Sequence, residues 1–217
     1  MMFTEPDEIA PGWTALSPRV LRDALVAFRA GEPVIVGHAD RASVVLGAAS
    51  SDSAGTAALI RHGSGLVYVA TPAQRLRSLQ IPPMPIEFDS KCPHAHVAVD
   101  AASGIGTGIS AVDRAETIRR LGDPAARSTD FVRPGHVVPV SAELTAGPSP
   151  SDADDALRLA WLADGHVAAA FTALISVDRP SELADRAEAG QLARSLGLSF
   201  VGSEVLGRAF HRRAHRR

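Results

Sequence analysis

Seven short apolar runs, at residues 33–36, 44–49, 66–70, 96–100, 137–140, 168–177 and 199–201, alternate along this chain with stretches of helical spacing. That interleaving restricts the chain to a sheet covered by helices, in an α/β or α+β arrangement. The first helix is predicted over residues 17–29, with Ser17 as N-cap, Pro18 at the first helical position and Val20, Leu21, Leu25, Val26 and Phe28 on its apolar face. Further helices are predicted over residues 54–62, 72–79, 111–121, 154–163 and 181–196, with a last helical segment leading into the basic tail. Residues 104–108 read as a glycine-rich turn and residues 131–136 as a loop. Residues 146–152, with Pro148 and Pro150, read as irregular.

A chain of 217 residues with 46% apolar content is long enough for one good-sized domain with a real core, and two would be crowded. The expected organisation is an N-terminal extension at 1–16, the domain at 17–210 and a solvated, frayed basic tail at 211–217. Net charge is −2, but the last seven residues carry four arginines, so the rest holds 18 − 24 = −6 and is a poor nucleic-acid binder. No apolar run approaches the ~18 to 20 residues of a membrane span, and the acidic start is unlike a basic leader, so the expectation is a cytoplasmic protein. The single cysteine, Cys92, excludes an internal disulfide framework, and no Cys/His spacing suggests structural zinc.

Six stretches stand out in order: Gly31-Glu32-Pro33-Val34-Ile35-Val36, Asp40-Arg41, Arg61-His62-Gly63-Ser64-Gly65-Leu66-Val67, Leu79-Gln80-Ile81-Pro82-Pro83-Met84, Thr107-Gly108-Ile109-Ser110-Ala111-Val112-Asp113-Arg114, and Arg133-Pro134-Gly135-His136-Val137-Val138-Pro139. Together they resemble the 3,4-dihydroxy-2-butanone 4-phosphate synthase family of the riboflavin pathway, which converts ribulose 5-phosphate to a four-carbon phosphate and formate. The resemblance runs from about residue 18 to residue 210. It implies an α+β fold, a single-domain mixed-sheet α/β sandwich, a homodimer, and active sites at the dimer interface.

The resemblance breaks at the family's catalytic signature. After its Asp-Arg the family carries Glu-Asn-Glu-Gly-Asp, whose first Glu binds magnesium and whose Asp handles substrate. This chain reads Ala42-Ser43-Val44-Val45-Leu46. The family's Arg-x-Gly-His-Thr-Glu segment, with a metal-binding His, aligns with Ser149-Pro150-Ser151-Asp152-Ala153-Asp154, and its strand Glu aligns with Ala173. Losing a carboxylate and an imidazole removes ligands that hold Mg²⁺, so no metal and no other cofactor is expected. Val44, Val45 and Leu46 are expected to make the pocket wall apolar and favour a less charged ligand.

Candidate catalytic acids and bases are His38, His136 and Asp152, and candidate substrate-binding residues are Asp40, Arg41, Thr107 and Arg133. Each has a plainer reading: Asp40 and Arg41 as a turn ion pair, His38 as an exposed loop residue, Thr107 as a turn residue. Asp113 reads as a helix-start residue, Arg61-His62 as a helix end, and Cys92 beside Lys91, His94 and His96 as a candidate activated thiol. In the family fold Arg41 and His136 are expected to approach one cleft. The leading reading is a metal-independent lyase, isomerase or dehydratase acting on a small, less charged molecule in specialised metabolism. The alternatives are a non-catalytic protein that binds a ligand or partner, and a surviving synthase with an altered site. Expected partners are a small molecule and a second copy of the chain, with neither nucleic acid nor membrane.

Overall fold

A computed structural model describes residues 18–85, 94–145 and 151–215. The N-terminal extension with Ser17, the segment holding Lys91 and Cys92, and the Pro148-to-Pro150 stretch lie outside the described residues. The strands are β1 (Val34–Gly37), β2 (Ala42–Gly47), β3 (Val67–Thr71), β4 (Val99–Ala101), β5 (Phe131–Ser141), β6 (Ala169–Ala173) and β7 (Ser199–Gly202). The helices are α1 (Pro18–Arg29), α2 (Ser53–His62), α3 (Ala73–Ser78), α4 (Ala111–Gly122), α5 (Asp152–Asp164), α6 (Arg186–Leu196) and α7 (Ser203–Ala214). All seven strands join one sheet in the order β4-β5-β3-β6-β2-β1-β7. It is mixed: β1/β7 and β3/β5 run parallel, the other neighbours antiparallel.

Strand alternation sends side chains into two cores. Val34, Val36, Val45 and Phe171 pack with α1, α5 and α7 on one face, while Ile35, Val44, Leu46, Val67 and Val69 pack with α2, α4 and α6 on the other. The result is the expected α/β sandwich. It also corrects the apolar-wall expectation, because Val44, Val45 and Leu46 are fully buried and divide between the two cores instead of lining a pocket.

Residues 131–136 form the first half of β5 rather than a loop, pairing Phe131 with Ala101 and Val132 with Asp100. The Pro134-Gly135 pair mimics a turn in sequence, but a Cβ at Gly135 would collide with the backbone of Val99 and Asp100. Glycine is there to let two strands close. The predicted 96–100 strand keeps regular pairing only from Val99, with His96 in an isolated bridge to Pro83. Strand β6 ends at Ala173, not Val177, because Leu174 and Ile175 leave for bridges to Gly63 and Leu183. Helix α6 starts at Arg186 rather than Ser181, where Asp185 and Glu188 form a capping box.

Helix α5 starts earlier than residue 154 because Ser151 caps it, accepting from the Asp154 N–H. The basic tail is no frayed end through Ala214: Arg213 lies over the Trp161 ring, 4.9 Å from its centroid, and donates to the Leu162 carbonyl. No described helix is long and apolar enough to cross a membrane.

Candidate functional site

The tight hairpin between β1 and β2 places His38, Asp40 and Arg41 at one end of the sheet, closed by the His38 N–H donating to the Arg41 carbonyl. On the α1/α5/α7 face, the first turn of α5 points Asp152 at this hairpin. Carboxylates at a helix N-terminus gain from the exposed N–H groups, and α5 has Asp152, Asp154 and Asp155 there. Asp152 accepts from Arg41 Nε at 2.9 Å and from Ser43 Oγ at 2.7 Å. His38 Nε2 stands 3.0 Å from Asp152 Oδ1 and 3.3 Å from Asp155 Oδ2, facing both without an aligned hydrogen bond to either. Two carboxylate oxygens around one ring nitrogen require it to carry a hydrogen. Asp155 pairs in turn with Arg158 at 3.2 Å, both almost fully buried, and Arg158 donates to the Thr145 carbonyl.

Burial by itself pushes the Asp152 carboxyl up. The close His38, the Ser43 hydrogen bond and the positive Arg41 outweigh it and bring the carboxyl down to about 2. Both Asp152 oxygens are engaged by these neighbours. His38 is buried among these carboxylates, which corrects the exposed-loop reading. Arg41 also touches the exposed Asp40 at 3.2 Å, so the turn ion pair is present, but its stronger partner is Asp152.

A divalent hard cation needs several oxygen ligands in close, near-ideal geometry. Both Asp152 oxygens already serve Arg41, Ser43 and His38, and Asp155 serves Arg158 and faces His38. With cationic groups where a metal would sit, the residues present do not fit Mg²⁺.

A second polar centre lies on β4 and β5. His136 Nδ1 is 2.7 Å from Asp100 Oδ2, and the His136 backbone N–H donates to Asp100 Oδ1 at 2.9 Å. Asp100 is buried at 8% side-chain exposure, while the His136 side chain is 40% exposed. The glycine-rich turn closes over this pair. Gly108 adopts φ +85°, and a Cβ there would collide with the Asp100 carboxylate and crowd His136 Nδ1. Asp113 holds the turn down, accepting from the N–H groups of Gly106 and Gly108 at 3.1 and 3.0 Å. These bonds lower its pKa against the opposing effect of burial. Asp113 is thus a loop anchor as well as a helix-start residue. Thr107 is exposed at the tip of this turn, and Arg133, also exposed, donates to the Leu79 carbonyl.

His136 and Arg41 lie at the same end of the sheet, since Val67 pairs with Val137 there and Ser43 with Ala173. From β5 to β2 there are three strand spacings, about 14 Å at ~4.8 Å each. The structure therefore groups Asp40, Arg41, His38 and Asp152 in one cluster, and Thr107 and His136 in another. Sequence reading missed Asp100, Ser43, Asp155 and Arg158. The available signals were an acid ending an apolar strand just before a glycine-rich turn, and an Asp three residues before an Arg on a predicted helix.

The sequence profile of the 3,4-dihydroxy-2-butanone 4-phosphate synthase family matches residues 22–208. A synthase of that name from Chromobacterium violaceum is 45% identical over 124 residues, covering 55% of this chain and 59% of its own length. A riboflavin biosynthesis protein RibBA from Rhodococcus jostii is 33% identical over 184 residues, covering 82% of this chain and 44% of its own. The crystal structure of a 3,4-dihydroxy-2-butanone 4-phosphate synthase in complex with two magnesium ions superposes with a TM-score of 0.78 at 27% identity, over 86% of this chain and 94% of that one. This mixed seven-stranded sandwich, with its ordered motifs, belongs to the 3,4-dihydroxy-2-butanone 4-phosphate synthase family.

Proposed function

We propose that this family member is a metal-independent acid–base catalyst of the lyase, isomerase or dehydratase type, acting on a small neutral or singly charged carbonyl compound. His136 is the proton-transferring group and Asp100 its positioning residue. The carrying observation is the 2.7 Å contact between a buried carboxylate and a half-exposed imidazole. Asp100 accepts from Nδ1–H, which leaves the Nε2 lone pair facing out to remove a proton from carbon beside a carbonyl and return it elsewhere. Thr107, beside Gly108 in the turn over this pair, and Arg133, three residues before His136 on β5, are the groups assigned to a hydroxyl or a single negative charge. A homodimer in the cytoplasm, with the 17–210 region as its domain, completes the reading. In such a dimer the partner's hairpin end supplies a second wall.

Proton abstraction can be read without knowing the product, by following hydrogen–deuterium exchange at the α-carbon of small hydroxyketones in D₂O by NMR. The expected result is exchange by the wild type that falls by ~100-fold or more in His136→Gln. Asp100→Asn should lower it too, while the ¹⁵N shifts of His136 move towards the other tautomer. Equal exchange by wild type and His136→Gln overturns the proposal. A synthase reading is favoured by the names of the relatives, and formate released from ribulose 5-phosphate with Mg²⁺ would establish it. A non-catalytic reading is favoured by the closed cluster at Asp152, and absence of both exchange and formate would establish that one.

A further inference from the structure

We propose that Arg41, Arg158 and the ring N–H of His38 form an internal clasp that fastens the β1–β2 hairpin to α5, doing with side chains what a bound divalent ion does between carboxylates, and that this place consequently rejects Mg²⁺. The inference does not depend on turnover at His136. Asp152 and Asp155 lie three residues apart on the first turn of α5, so their charges share one face and repel. Three positive or hydrogen-bearing groups separate them: Arg41 on Asp152, Arg158 on Asp155, and His38 between both. Ser43 closes the remaining Asp152 oxygen. Four of these contacts, from the three residues His38, Arg41 and Ser43, originate on the hairpin or the start of β2, so the set is a bridge between two elements rather than a bond within one. A hydrated Mg²⁺ entering here would have to displace the arginine and meet the charge of its neighbours, and it dehydrates reluctantly.

Mn²⁺ serves as the probe, because its electron paramagnetic resonance signal falls when it is bound. The wild type should leave that signal undiminished and should melt at the same temperature in EDTA and in Mn²⁺. The double variant His38→Asn/Arg41→Gln, which uncovers two carboxylates, should melt lower by about 5 °C or more, bind Mn²⁺ and recover part of the loss with it. If the double variant does not fold, Arg41→Gln alone is read in the same way. Mn²⁺ binding by the wild type overturns the inference. So does an unchanged melting temperature in the variant, or a lowered one that Mn²⁺ fails to raise.

Discussion

Changing Asp152 to Asn keeps the shape of the side chain and removes its charge, and the size of the effect follows from the geometry. The carboxyl is held at about 2 against an ordinary 3.8, a gap of 1.8 that corresponds to about 2 kcal/mol at ~1.36 kcal/mol per pH unit. With 16% of the side chain exposed, solvent screening removes little of this. Because the folded value lies below the unfolded one, the carboxylate stabilises fully above the unfolded value and loses that contribution as pH falls towards 2. The wild type should therefore exceed Asp152→Asn by about 2 kcal/mol near pH 6, with the gap narrowing through about pH 4 and 3. Urea unfolding at matched ionic strength measures it. A gap that stays constant with pH, or one under about 0.5 kcal/mol near pH 6, would refute the claim that charge holds the hairpin to α5.

Four further outcomes are expected. Gly108→Ala forces a Cβ onto Asp100 at positive φ and should cost ~1 to 3 kcal/mol or more, lowering the melting temperature and displacing His136 in its NMR spectrum. Ser110→Ala removes the α4 cap that accepts from the Asp113 N–H, for about 1 kcal/mol in chemical denaturation. Leu174→Ala, at a fully buried site, should cost ~2 to 5 kcal/mol by the same measurement. Glu204 is opposed by burial but held below the usual carboxylate range by its two hydrogen bonds from Arg186. Glu204→Gln should therefore cost about 1 kcal/mol near neutral pH, and the difference should vanish in acid as the wild-type carboxylate protonates.

The elements that sequence made legible were those with strong local punctuation. Helix α4 begins at the predicted Ala111, and α1 ends at the predicted Arg29. The errors have a common physical cause, in that tertiary pairing overrode local signals. Gly135 looked like a turn residue and proved to be a point of strand closure. Asp152 looked like the end of a proline loop because the cap that starts α5, Ser151, sits among turn-forming residues. At the candidate site, the family motifs pointed to His136, Thr107 and Arg41, but sequence order carries no information on strand order. Only the β5-β3-β6-β2 succession separates Arg41 from His136. Asp100 carried only a local signal, since its partnership with His136 spans 36 positions of sequence.

Residues 42–46 contribute to both layers of this fold. The resemblance places acids and amides along the strand after Asp40-Arg41, and this chain has Ala42, Val44 and Leu46 directed into one core and Val45 into the other. Each fully buried Val or Leu contributes roughly 1.5 to 3 kcal/mol through transfer from water, so a hairpin built this way is sheet interior. Ser43 alone keeps a polar side chain on β2, and it is engaged by Asp152. Active sites normally hold polar groups whose burial is unfavourable in the absence of ligand, and residues 42–46 of this chain are apolar apart from Ser43. On the function proposed above, chemistry is to be sought where a buried carboxylate supports an accessible side chain, at Asp100 and His136.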